Sequence, residues 1–168
     1  YLHHFLSSQP KLNLRNPATL DAILATGRFW LDRGVDGFRL DAIDFMAHDP
    51  MLRSNPPLPP AGGVIPTKPF ALQRHDQDML HPDALAIMQR IRALTDEYPG
   101  TVTLGEVSSQ PGAFDRIADY TKPGRLHLAY TLRLLRSGVS AAILEATLTE
   151  AAAAIQGHGL GWAFGNHD

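Results

Sequence analysis

Two carboxylates and one arginine stand where their types and spacing suit nucleophilic and acid–base work. Arg39 and Asp41 lie two residues apart in the glycine-bounded run Val35-Asp36-Gly37-Phe38-Arg39-Leu40-Asp41-Ala42-Ile43, which reads as a buried strand. Side chains alternate along a strand, so Gly37, Arg39 and Asp41 share one face while Phe38 and Leu40 take the other. An unpaired arginine inside an apolar strand is costly, and Asp41 is near enough to be its partner. Such a pair keeps the carboxylate ionised and oriented, as a nucleophile requires. A purely structural ion pair is the competing reading. Glu106 follows Thr103-Leu104-Gly105 and precedes Val107 with no basic residue nearby in sequence. An apolar surround raises a carboxyl pKa and suits a general acid. One ionised and one protonated carboxyl, about 5–5.5 Å apart, are the parts needed for retaining glycoside hydrolysis. Asp168, at the end of Trp162-Ala163-Phe164-Gly165-Asn166-His167-Asp168, is a third carboxylate after an apolar run. Taken singly, each acid could equally cap a helix or meet a surface lysine.

The elements that must position these groups alternate. Asn16-Pro17 reads as an N-cap with proline in the first turn. From there Leu20, Ile23, Leu24, Trp30 and Leu31 recur at helical spacing until Gly34. The strand at Val35–Ile43 follows. Six of the 13 prolines fall between Pro56 and Pro69, so Asp49 to Lys68 reads as a long structured loop. A helix runs from Pro82 to Tyr98-Pro99-Gly100, then a strand from Thr101 to Val107. A short helix from Pro111 to Ala118, a strand from Leu126 to Leu132 and a helix from Val139 to Gln156 come next. Gly157, Gly159 and Gly161 lead to a fourth strand over Trp162–Asn166. This order predicts an α/β fold with a parallel sheet, either doubly wound or part of an eight-stranded barrel. Ligands of both folds bind at the carboxyl ends of strands, where Asp41, Glu106 and Asp168 would converge.

Composition narrows the function classes. The chain has 168 residues, 44% of them hydrophobic and 19% charged, with 15 Lys plus Arg against 17 Asp plus Glu, and no cysteine. The near-balanced charge of −2 gives no electrostatic reason for nucleic acid or an anionic membrane as partner. Without cysteine there is neither a disulfide framework nor a thiolate metal site. No phosphate-binding glycine loop follows any strand. No apolar run reaches the roughly 18 residues of a membrane span and no signal-peptide pattern opens the chain, so a cytoplasmic location is expected.

Gly37-Phe38-Arg39-Leu40-Asp41-Ala42-Ile43, Leu104-Gly105-Glu106-Val107 and Phe164-Gly165-Asn166-His167-Asp168 resemble, in order and spacing, three short motifs of the α-amylase family, glycoside hydrolase family thirteen. The opening Gln9-Pro10-Lys11-Leu12-Asn13-Leu14-Arg15-Asn16-Pro17 resembles the segment before the third barrel helix in its α-glucosidase branch. The resemblance implies that Asp41 is the nucleophile forming a covalent glucosyl intermediate and that Glu106 is the acid and then the base. It implies that Asp168 stabilises the transition state through the sugar hydroxyls, that Arg39 orients Asp41, and that His167 binds the innermost sugar. No cofactor is implied. Asp44 to Pro60 and Pro69 to Asp76 look like bacterial α-glucosidases and α-glucosyltransferases, whose proline-rich loop would favour short substrates. In that branch Ala42, small and directly after the nucleophile, leans toward α-1,4 over α-1,6 bonds.

A further family motif, of Asp-x-x-x-Asn-His type, has no counterpart here, and a complete (β/α)8 barrel needs about 250 residues. The expectation is therefore a partial barrel over residues 1–168, roughly strands four to seven with their helices, belonging to a longer chain. Its activity would be hydrolysis of short α-glucosides. Alternatives are α-glucosyl transfer, including sucrose- or trehalose-type conversion, and a non-catalytic interaction module. A divalent site built on Asp41, Glu106, His167 and Asp168 is disfavoured by Arg39, which would repel the cation. The sequence leaves the oligomeric state open.

Overall fold

The computed structural model describes residues 1–58, 69–135, 138–157, 159–165 and 167. Helix α1 (Pro17–Leu31) opens as expected: the Asn16 side chain accepts the Ala18 amide, and Pro17 occupies the first turn. Strand β1 (Gly37–Leu40), helix α2 (Ala84–Asp96), strand β2 (Val102–Val107), helix α3 (Ala113–Tyr120), strand β3 (Leu128–Thr131), helix α4 (Ala141–Ala154) and strand β4 (Leu160–Gly161) follow. The predicted alternation therefore stands. All neighbouring strands pair parallel in the order β1-β2-β3-β4, each connection running through one helix, as parallel pairing demands.

Register decides which side chains meet. Arg39 pairs with Leu104 and Leu104 with Leu128, while Glu106 pairs with Tyr130 and Tyr130 with Gly161. Paired residues of a parallel sheet share a face, so Arg39, Leu104, Glu106, Leu128 and Tyr130 point to one side. The other side carries Thr103, Val107, Ala129 and Thr131, which are buried beneath the helices. There the core gathers Ile43, Met88, Phe114, Ile117 and Leu126, all at 1% exposure or less. His127 ties two strands together at its edge, accepting the Thr103 amide at 3.1 Å.

Two strands differ from the sequence reading. The first ends at Leu40 rather than Ile43, because Ala42 takes a left-handed conformation (φ 43°) and Ile43–Phe45 closes a 3-10 turn. The fourth is Leu160–Gly161 rather than Trp162–Asn166. Backbone approach, not the apolar run, sets this ladder: the Gly159 carbonyl accepts the Ala129 amide at 2.9 Å, and a Cβ on Gly159 would lie 1.9 Å from the His127 carbonyl oxygen. Glycine alone permits that contact. Trp162 and Phe164 remain 39% and 67% exposed, past the strand, and Asn166 lies outside the described residues.

The long proline-rich loop is tied at its base. Pro57 and Gln73 form an antiparallel bridge, flanked by bonds from the Leu58 amide to Leu72 and from the Arg74 amide to Pro56. Residues 59–68 lie outside the described set.

Candidate active site

Strand β1 delivers Arg39 to the open face of the sheet, and the left-handed turn at Ala42 leaves Asp41 as the last residue before the chain folds back. Strand β2 brings Glu106 to the same face, and β3 brings Tyr130 beside it. The Arg39 guanidinium joins them: Nη1 donates to Asp41 Oδ1 and Nη2 donates to Glu106 Oε2. Tyr130 Oη accepts from Arg39 Nε at 3.3 Å and Nη2 at 3.1 Å, and donates to Glu106 Oε2 at 2.9 Å. Hydrogen bonding to Tyr130 is the main reason the Arg39 guanidinium is held above its ordinary pKa, with Asp41 and Glu106 adding to it against a partial desolvation. Burial pushes the Tyr130 phenol up and its bond to Glu106 acts the same way, against Arg39. Tyr130 is therefore a protonated donor at neutral pH.

The expected Arg39–Asp41 pair is present, in a different setting from the one expected. It is not buried: the side chains are 33% and 68% exposed. Asp41 follows β1 rather than lying within it, so the pair forms at the lip of the sheet. Glu106 is the enclosed carboxylate, at 13% exposure, and its surround is not simply apolar. Parallel register places a phenol across from it and a cation beside Leu104, two residues before it on the same face, and both lie far away in sequence. Tyr130 was not singled out from the sequence. The available signal was an aromatic with a polar tip at an alternating position of the third strand.

A cavity of about 560 Å³ opens beside Asp41, lined in part by Lys11, Leu12, Arg39, Ala42 and Phe45, so the opening segment borders the site. His167 is exposed, past β4, and Asp168 lies outside the described residues. Among the described residues no group of three or more acidic or histidine side chains is disposed to hold a metal ion. A cation shared by Asp41 and Glu106 would meet the Arg39 guanidinium. The arrangement is one exposed carboxylate, one enclosed carboxylate, and a fixed positive charge orienting both, with a hydroxyl donor on the enclosed acid.

The family described as "Alpha amylase, catalytic domain" matches residues 1–168. A "Probable alpha-glucosidase" of Rhizobium meliloti (strain 1021) is 41% identical over 175 residues, covering 100% of this chain and 32% of that protein. "Trehalose synthase/amylase TreS" of Mycolicibacterium smegmatis is 34% identical over 141 residues, covering 80% of this chain and 19% of its own length. Among solved structures, an "alpha-glucosyl transfer enzyme, XgtA" superposes with a TM-score of 0.90 at 44% identity, covering 100% of this chain and 32% of that one. Trehalulose synthase MutB, at 24% identity and a TM-score of 0.78, shares the fold. The chain thus spans about a third or less of the length of these relatives.

Proposed function

Because the chain belongs to the alpha-amylase catalytic-domain family, we propose that it is the part of a retaining α-glucosidase barrel that carries the reacting carboxylates, corresponding to strands four to seven. The observation that carries the reading is the single guanidinium bound to both Asp41 and Glu106. It holds the two acids beside each other, one just past β1 and the other on β2, the pairing that a double displacement uses.

In the first step an Asp41 carboxylate oxygen attacks the anomeric carbon of a short α-glucoside. The bond to the leaving oxygen breaks, and Glu106 gives that oxygen its proton. The product is a glucosyl ester on Asp41 and a Glu106 carboxylate. In the second step Glu106 takes a proton from water, whose oxygen attacks the anomeric carbon and releases Asp41. Arg39 stabilises Asp41 as it departs, and the Tyr130 hydroxyl stabilises ionised Glu106 between the steps. Asp168 and His167 are assigned to sugar hydroxyls, on the strength of the motif they belong to. A preference for short substrates is assigned on the strength of the resemblance to the α-glucosidase branch.

Transfer of the glucosyl group to a sugar or other alcohol in place of water is the second reading, favoured by the 44% identity to an α-glucosyl transfer enzyme. The test is the intact protein carrying residues 1–168, given maltose, isomaltose, sucrose and 4-nitrophenyl α-glucoside with anomers followed by NMR. Initial release of α-glucose is the expected result. Transfer products at low water activity favour the second reading. Initial β-glucose, or no turnover of any α-glucoside, contradicts both.

A further inference from the structure

We propose that Asp44 is a positioning residue: its buried carboxylate locks the turn carrying Asp41 to the loop that follows Glu106, and so sets the separation of the two reacting carboxyls. The proposal rests on the reading of Asp41 and Glu106 as the reacting pair.

Asp44 is 1% exposed and lies on the helix side of the sheet, away from the Arg39 network. Ser108, two residues after Glu106, donates to Asp44 Oδ2 twice, through its amide at 2.9 Å and its hydroxyl at 2.6 Å. On Oδ1, the Tyr120 hydroxyl donates at 3.2 Å and Arg116 Nε stands at 3.6 Å. The Asp44 carbonyl accepts the Leu80 amide at 2.7 Å. A carboxylate removed from water needs such partners, and losing one leaves a buried charge uncompensated. These partners belong to the loop after β2 and to α3.

A second contact runs parallel to the first. Ile43 is fully buried and packs over Gly105, where a Cβ would lie 2.5 Å from Ile43 Cδ1. The residue two after Asp41 is thus seated on the residue before Glu106, and the residue three after Asp41 is bonded to the residue two after Glu106. Between Asp41 and this seat stands Ala42, in a left-handed conformation unfavourable for a residue with a Cβ. Such a turn persists only where its surroundings hold it. Ile43 and Asp44 are those surroundings, and any slack in them reaches Asp41 directly.

The test uses the intact protein as wild type, Asp44→Asn, Ser108→Ala and Ser108→Thr, the last keeping both donors. Near-attack geometry is steep enough that a displacement of about 1 Å can cost about a hundredfold. Asp44→Asn and Ser108→Ala are expected to lower kcat on 4-nitrophenyl α-glucoside about tenfold or more, with KM changed by less than about threefold. Ser108→Thr should restore most of the rate. Crystal structures of Ser108→Ala and wild type should differ in the Asp41–Glu106 carboxyl separation, with the rates compared well below the melting temperature of each variant. A kcat within about twofold of wild type in both impaired variants overturns the proposal. So does a rate loss accompanied by unmoved carboxyls. If the wild type cleaves no α-glucoside, the functional reading fails, and the carboxyl separation in the two crystal structures then decides the positioning role alone.

Discussion

A guanidinium presents five N–H donors in a planar fork, whereas an ammonium is a compact point charge on a flexible stem. Arg39 uses that fork on Asp41, Glu106 and Tyr130 together, so Arg39→Lys keeps the charge and loses the geometry. Hydrogen bonds to charged groups contribute about 1.5–3 kcal/mol, and each factor of ten in rate is about 1.4 kcal/mol. Arg39→Lys in the intact protein is therefore expected to lower kcat/KM by about tenfold to a hundredfold in steady-state assays. Tyr130→Phe removes one donor from Glu106 and is expected to cost about tenfold. Asp41→Asn should abolish turnover, while Glu106→Gln should still react slowly with aryl α-glucosides whose leaving groups need no proton. A kcat unchanged in Asp41→Asn contradicts the mechanism. The Arg39–Asp41 pair was legible in the sequence because its members are two residues apart, one on β1 and the other directly after it. Tyr130 was not, since it lies 91 residues from Arg39 and only the strand register unites them.

The elements hold the site through close backbone and side-chain approaches that glycine permits. Gly105, between Leu104 and Glu106, leaves room for Ile43 and Leu126, whose Cδ1 atoms would lie 2.5 and 2.8 Å from an added Cβ. Gly105→Ala overpacks that seat and is expected to destabilise the intact protein by about 1–3 kcal/mol, measured by denaturant unfolding, with lowered activity because Glu106 is the next residue. Stability equal to wild type would show that the seat is looser than described. Helices and strands were legible as kinds because apolar periodicity and the Asn16 cap are local signals. Strand ends were not. The turn at Ala42 depends on Asp44 and Ile43 finding partners on β2 and α3, and β4 depends on the approach of Gly159 to His127; both are tertiary contacts.

At the scale of the molecule, the described helices cover one side of the sheet. Arg39, Leu104, Glu106, Leu128 and Tyr130 share the other, with Val102 and Leu128 at 41% and 37% exposure. Residues 1–168 made alone are expected to associate through this face and the strand edges and to lack glucosidase activity. Sedimentation velocity checks the first and a fluorogenic glucoside the second; a monodisperse, active monomer would contradict both. Three histidines add a pH dependence. Burial is the main cause that lowers His4, His48 and His127 below the ordinary 6.5, so the fold favours their neutral forms. The unfolded chain then takes up protons first as pH falls. The stability they contribute is fully present above about pH 6.5 and is lost as pH falls through their lowered folded values. Melting temperature should decline as pH falls below about 6.5, and His127→Asn should flatten part of that decline. No local pattern in the sequence marked these three as half-buried, since their partial burial comes from the packing of distant segments.

The central claim, that Asp41 carries the glucosyl group between two steps, is open to direct capture. The intact protein is incubated with a 5-fluoro-α-glucosyl fluoride, whose slowed second step accumulates the ester, then digested and sequenced by mass spectrometry. The predicted result is a single adduct of one fluoroglucosyl unit on Asp41, absent from Asp41→Asn. An adduct on any other residue, or turnover of the reagent with no adduct at all and inverted product, would contradict it.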